Sequence, residues 1–352
     1  MRKIALVNQK GGVGKTTTAV HLAAGLAELG KKVLLIDLDP QANATLSFGL
    51  HHNPERPSAY SVLIGKTDVE ETIQPLTEML SILPSSIDLA GVDMELSNEI
   101  GRERVLSDKL DEITGFDFVL VDCPPSLGLI SVNALTFVDE IHIPVQCEFF
   151  ALHGLSLLMR TIDLVKRRLN PTLEITGVIA CMYDGRRSLA RETSSELDNF
   201  FQDKVFKTKI RTNVRLAEAP SHGKTVFEYA PDSYGSQDYR NLAREVAGLP
   251  LEQPTPVVEE TAPTTPVPGH EPEVTESVVE EKTAAPDTTE IPVVESGKEA
   301  LPVTESNEET KIETEQKAPP PVTPVPGKEE EKVETENSGP NLPATVRPAV
   351  EL

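Results

Sequence analysis

Lys10-Gly11-Gly12-Val13-Gly14-Lys15-Thr16 is the stretch on which the fold of this chain turns. A phosphate-binding loop usually reads G-x-x-x-x-G-K-[ST]. Counting back from Gly14-Lys15-Thr16 puts Gln9 at the first position, so the usual pattern fails, and two further glycines and a second lysine, Lys10, stand in its place. The preceding run Ile4-Ala5-Leu6-Val7 reads as a short buried strand. Beyond the loop, Ala19, Leu22, Ala23, Leu26 and Leu29 recur at helical spacing until Gly30. Strand, glycines and helix start together make an anion cradle. Glycine permits the tight turn, backbone N–H groups face phosphate oxygens, and the helix dipole favours negative charge. Lys15 is placed to reach the β- and γ-phosphates of a nucleotide, and the Thr16 hydroxyl to ligate Mg²⁺. Lys10 is not needed for any of this within one subunit.

Two more segments converge on the same place. The strand pattern Lys32–Ile36 runs into Asp37-Leu38-Asp39-Pro40-Gln41, and Phe116–Val121 ends at Asp122-Cys123-Pro124-Pro125. An acidic residue at the carboxyl end of a parallel strand beside such a loop is where a metal and an attacking water are held. Each aspartate alone could equally be a turn residue; the loop beside them favours the functional reading. Further helical patterns fall around 44–49, 88–113, 128–137, 151–169, 189–202 and 234–247, and strands around 80–84, 140–146, 174–182 and 205–210. This alternation predicts an α/β fold, a doubly wound and mainly parallel sheet with helices on both faces.

These motifs carry a resemblance. Lys10–Thr18, Asp37–Thr45 and Asp122–Ser126 resemble the ParA/MinD group of deviant Walker-A P-loop ATPases. Pro144-Val145-Gln146-Cys147-Glu148 and the stretch Val214–Lys224 are similar to its chromosomal ParA (Soj-type) branch, over about residues 1–249. The resemblance implies an ATPase whose ATP is bound by Lys10, Gly11, Gly12, Val13, Gly14, Lys15, Thr16 and Thr17, with Met182 and Pro220 near the adenine. It gives Asp39 the larger part in organising the water that attacks the γ-phosphate, with Asp37 supporting Mg²⁺ or the same network. Asp122 would hold Mg²⁺ through water, and Pro124-Pro125-Ser126 would form a switch sensing the γ-phosphate. Lys10 would cross a dimer interface to the partner's ATP, as a charge supplied in trans. The implied partners are a second copy of the chain, double-stranded DNA bound without sequence preference through Arg186 and Arg215, and a ParB-like protein that stimulates hydrolysis. Where many relatives read Pro-Arg-Asn-Val-Arg, this chain has Arg211-Thr212-Asn213-Val214-Arg215, so one basic charge has moved.

Composition divides the chain near Leu249. Residues 250–352 hold 18 of the 29 prolines and 23 acidic against 7 basic residues, a formal −16 of the total −23. Such a stretch buries too little apolar surface to offset its ordering entropy, so it is expected to be a disordered acidic tail after an ATPase domain over 1–249. It repeats Thr265-Pro-Val-Pro-Gly269 as Thr323-Pro-Val-Pro-Gly327. Residues 160–224 run the other way, with 13 Lys/Arg against 8 Asp/Glu, either a nucleic-acid footprint or a set of solvated faces. Cys123, Cys147 and Cys181 show no metal-ligand spacing and no disulfide framework. The chain opens on its first strand and has no long apolar run, so a cytoplasmic, nucleoid-associated protein without membrane contact is expected. A related ATPase positioning another cargo, a protein compartment or receptor cluster, would share this chemistry. A MinD-like division-site regulator would need a basic amphipathic C-terminus, where this one is acidic and proline-rich.

Overall fold

The computed structural model describes residues 1–148 and 154–252. The expected tail, from residue 253 onward, lies outside the described residues. The strands are β1 (Arg2–Leu6), β2 (Val33–Asp37), β3 (Gln74–Pro75), β4 (Leu80–Leu83), β5 (Phe118–Asp122), β6 (Glu140–Gln146) and β7 (Glu174–Cys181). They form one sheet in the order β3-β4-β2-β5-β1-β6-β7, parallel throughout except for β3 against β4.

Alternation along the central strands explains the two-sided core. Ile4, Leu6, Val33, Leu35, Phe118 and Leu120 face one side, and Ala5, Val7, Leu34, Ile36, Val119 and Val121 the other. Both sets are buried, so each strand reads as a continuous apolar run. Helices α1 (Lys15–Glu28) and α12 (Tyr234–Val246) cover the first face. Of the intervening helices, α3 (Ala59–Leu63), α6 (Val105–Leu110), α7 (Leu129–Phe137), α8 (Leu155–Arg168) and α9 (Ser188–Phe201) supply residues to the second. The remaining helices are α2 (Asn43–Ser47), α4 (Val69–Thr72), α5 (Val92–Glu95), α10 (Val214–Glu218) and α11 (Val226–Tyr229). The doubly wound α/β architecture expected from the sequence is therefore present.

Two local expectations fail. Residues 205–210 are not a strand. They track the edge of β7 through isolated bridges at Val178–Val205 and Tyr183–Arg211. The Glu245 carboxylate accepts the Lys207 and Thr208 N–H groups at 2.7 and 3.0 Å and so takes donors that a ladder would need. The helical pattern over 88–113 breaks into a 3₁₀ turn at Ile87–Gly91, then α5 and α6, with Gly101 at φ 77° between them.

α1 is held against its neighbours close to the loop. A Cβ on Gly25 would lie 2.9 Å from that of Ala243 in α12, so only glycine allows this approach. His21 is buried, with its Nδ1 2.7 Å from the Thr17 carbonyl, while its Nε2 accepts the Val226 N–H at 3.0 Å. That places the proton on Nδ1.

A second histidine has no such support. His142 on β6 is buried, and neither ring nitrogen has a hydrogen-bond partner among the described residues. Burial pushes it down to about 3, with nearby Glu140 opposing and Arg2 assisting. A depressed histidine holds the fold fully above its unfolded value near 6.5 and loses that contribution as pH falls, because the unfolded chain takes the proton. His142→Leu should therefore be neutral or stabilising at pH 7, and its advantage over the wild type should grow by about 2 kcal/mol between pH 6.5 and 5. Urea unfolding of both proteins at the two pH values measures this.

Candidate active site

The carboxyl ends of β1, β2 and β5 lie side by side, with Leu6 and Asp37 both in register with Asp122. The loop after β1 follows the sequence reading. Gly12 and Gly14 take φ of 72° and 94°, a left-handed conformation that costs a side-chain-bearing residue dearly. Gly14 caps α1 with no side chain bonded to the helix start and no acidic residue in the first turn. The first N–H groups and the positive end of the dipole are thus left to an outside anion. Val13 is buried and anchors the loop, while Thr16 and Thr17 are partly exposed at the helix start. Lys15 is buried, its Nζ 3.4 Å from the Lys10 carbonyl. Burial lowers its pKa, and Asp122, Cys123 and Asp39 partly restore it.

Asp122 and Asp39 act on this lysine and Asp37 lies beside them, and the three carboxylates differ in their surroundings. Asp37 is fully buried: its Oδ2 accepts the Thr45 N–H and hydroxyl at 2.8 and 2.7 Å, and its Oδ1 the Asp39 N–H at 3.1 Å. Burial pushes it up to about 6 against those bonds. Its oxygens are spent on shaping the loop. Asp39 accepts the Gln41 N–H at 2.9 Å, and its carbonyl accepts the Ser85 hydroxyl at 2.7 Å. Ser85 in turn donates its N–H to Thr45 Oγ1 at 2.9 Å. Asp122 differs from both. It is fully buried, yet neither of its oxygens completes a hydrogen bond among the described residues. Burial, then Asp37, raises its pKa well above the carboxylate norm, and the nearby Thr16 hydroxyl and Lys15 offset this only in part. An unpartnered buried carboxylate beside a phosphate-loop threonine fits a hard, hydrated divalent cation.

Lys10 points elsewhere. Its side chain is 43% exposed and its Nζ pairs with Glu148 Oε2 at 3.0 Å, just past the end of β6. Asn8 fixes the backbone there: its side chain accepts the Lys10 N–H at 3.0 Å and donates to the Pro144 carbonyl at 2.7 Å.

With this geometry in place, comparison with known proteins becomes specific. Residues 1–175 match a family model described as AAA domain. The chain is 48% identical over 246 residues to the sporulation initiation inhibitor protein Soj of Bacillus subtilis, covering 69% of this chain and 97% of that one. It is 47% identical over 246 residues to the chromosome-partitioning ATPase Soj of Thermus thermophilus, covering 70% and 95%. The chain belongs to the ParA/Soj family of chromosome-partitioning ATPases. Among solved structures, cobyrinic acid a,c-diamide synthase of Mycobacterium smegmatis, with bound ATP analogue and magnesium, is similar at a TM-score of 0.63 and 34% identity. That match covers 70% of this chain and 94% of the synthase.

In this ParA/Soj-family chain the other expected site residues fall on two segments, one following β7 and one in and after α10. Met182 follows β7 directly, at φ 52° and exposed, so it is not a core residue. The end of β7 lies against the phosphate loop, since a Cβ on Gly14 would sit 3.7 Å from Cys181 Sγ. Pro220 is partly buried in the 3₁₀ turn Ala219–His222. Arg186 and Arg215 are exposed, Arg186 beside Asp184 and Arg215 beside Glu218. The Tyr183–Arg211 bridge brings their two segments together. The displaced charge, Arg211, does not join them at the surface: it forks onto the buried Asp238 at 2.6–3.1 Å and stacks over Tyr234. The three cysteines are free and buried, which pushes Cys147 up to about 11 and Cys181 to about 12. Among the described residues no helix is long and apolar enough to cross a membrane.

Sequence reasoning missed Thr45, Ser85, Asn8 and Glu148 as supports of the site. Ser85 carried no local signal. Asn8, two residues before Lys10, could have been read as a side chain bonding the backbone two residues on.

Proposed function

We propose that ATP and Mg²⁺ close two copies of the ATPase domain, residues 1–249, into a dimer that binds DNA without sequence preference. A ParB-like partner then stimulates hydrolysis and release, and the cycle segregates chromosomal or plasmid DNA in the cytoplasm. In this reading Thr16 and Asp122 hold the metal, Asp122 through water, and Lys15 and the loop amides bind the phosphates. When bound there, Mg²⁺ would neutralise phosphate charge. Asp37 fixes the loop that carries Asp39, and Asp39 orients the attacking water. The adenine lies between Met182 and the turn at Pro220.

The observation that carries this reading is the divided labour of the two lysines. Lys15 is buried at its own loop, whereas Lys10 is exposed and held off by Glu148. An exposed pair of this kind contributes about 0.2–1 kcal/mol, so a partner's triphosphate can displace Glu148 readily. Lys10→Ala should accordingly bind ATP nearly as well as the wild type, while sedimentation shows no ATP-dependent dimer. A wild-type dimer content in that variant would sink the proposal.

DNA binding is supported by the basic edge that carries Arg186 and Arg215. Paired Arg186→Ala and Arg215→Ala should leave the ATP dimer intact, weaken DNA binding by about tenfold or more at 0.1 M salt, and lower the salt slope by roughly 4 per dimer. Titration of duplex DNA over a salt series, with ATP, ADP or no nucleotide, tests the whole scheme: tight binding with ATP alone is expected.

A further inference from the structure

We infer that the contact between Gly49 and Gly223 carries the state of the nucleotide from the Asp39 loop to Arg215, which makes both glycines positioning residues for the segment that holds Arg215. A Cβ on Gly223 would lie 2.8 Å from the Gly49 Cα and 3.2 Å from its N, so two backbones meet here with no side chain that could yield. The reverse does not hold. A Cβ on Gly49 would meet the Gly223 carbonyl oxygen at 3.6 Å and its Cα at 3.8 Å, which are ordinary contact distances. Gly49 and Gly223 have φ of 73° and 62°, so alanine at either carries a similar backbone penalty, and only one of the two drives the chains apart.

Each glycine closes a short element that leads to a functional group. On one side, the Ala42 N–H bonds the Asp39 carbonyl at 2.8 Å, and α2 starts directly after Ala42. Thr45 clamps α2 to Asp37, and the Gly49 N–H ends it on the Leu46 carbonyl at 2.9 Å. Ala42 has φ 54°, a conformation disfavoured by a side chain, and this strain gives the stretch a second arrangement to relax into. On the other side, Gly223 ends the turn Ala219–His222, its N–H on the Pro220 carbonyl at 3.0 Å. Glu218 Oε2 accepts the Arg215 guanidinium at 2.9 Å and the Tyr229 hydroxyl at 3.1 Å, and the Tyr229 ring stacks on His222 with centres 4.8 Å apart. α10, which carries Arg215, fully buries none of its residues, and Leu216 rests only partly buried against Gly235. The seat of Arg215 is therefore set in good part by the turn that follows it. The response of the contact to the γ-phosphate stands apart from the DNA reading; its effect on DNA rests on that reading.

Gly49→Ala and Gly223→Ala in the full-length chain isolate the contact, because they share the backbone penalty and differ in the clash. Amide hydrogen exchange over residues 214–224, with Mg²⁺ and either a non-hydrolysable ATP analogue or ADP, reads the coupling without DNA. Both nucleotides carry the same adenine, so the difference between them reports the γ-phosphate. Wild type and Gly49→Ala should show protection that depends on the analogue. Gly223→Ala should still dimerise with the analogue and lose that difference. In DNA titrations the preference for ATP over ADP should fall about tenfold in Gly223→Ala and less than about twofold in Gly49→Ala. Gly223→Asn places the same Cβ with less backbone strain and should behave as Gly223→Ala does, which keeps the test open if the alanine variant misfolds. Equal exchange in the Gly49 and Gly223 variants, no analogue-dependent protection in the wild type, or loss of the dimer in Gly223→Asn would overturn the inference. Protection lost only in the Gly223 variants, in a protein whose wild type binds no DNA, would leave the coupling standing and remove the DNA reading.

Discussion

Lys15→Ala should cost the protein its ATP, and with it the dimer and DNA binding, in one step. Lys15 is buried at the start of α1, where burial works against its charge and Asp122, Cys123 and Asp39 sustain it. Lys10, the other lysine of the loop, is turned outward to Glu148. Removing one partner of a buried charge pair costs about 3–5 kcal/mol, which lowers ATP affinity by roughly 10²–10⁴-fold. The buried carboxylates would then face the triphosphate without a counter-charge, so compensation by the loop amides is not expected. Isothermal titration with ATP–Mg²⁺, sedimentation and DNA binding should fail together. DNA binding that survives in Lys15→Ala would separate the basic edge from the nucleotide.

Asp39→Ala should have the opposite effect on the dimer. Asp39 bonds the loop through Gln41 and Ser85, but Asp37 is the residue that clamps that loop to Thr45. Losing the Asp39 carboxylate is therefore expected to leave nucleotide binding intact and to remove the group proposed to orient the water. Hydrolysis should fall on the order of 10²-fold or more, while ATP-bound dimer accumulates and stays on DNA. Phosphate release and dimer lifetime in the same sample separate this from unfolding. Asp37→Ala makes the contrast: it should loosen the loop and lower the melting temperature, because Thr45 loses its partner.

How far the sequence reached depended on the range of the forces involved. β2 and β5 were legible because strands buried on both faces read as unbroken apolar runs, and their terminal aspartates follow by position. The phosphate loop was legible because its glycines answer local backbone demands. Residues 205–210 misled because their β-rich pattern is overridden by Glu245, a carboxylate supplied from a distant helix. The Ser85–Thr45–Asp37 chain was invisible for the same reason: three hydrogen bonds join residues 40 or more positions apart or on separate elements. Arg211 carried a charge that the sequence could count but not place. Only the fold reveals that Asp238 and Tyr234 absorb it.

The central claim is that Lys10 serves the partner's ATP. It is tested most directly by mixing two inactive proteins, Lys10→Ala and Asp39→Ala, before ATP is added. A mixed dimer has one site with an intact Asp39 that receives Lys10 from the other subunit. If Lys10 acts in trans, the mixture hydrolyses ATP well above the sum of the two proteins alone. Hydrolysis no greater than that sum, in a mixture shown by sedimentation to form mixed dimers, would contradict it.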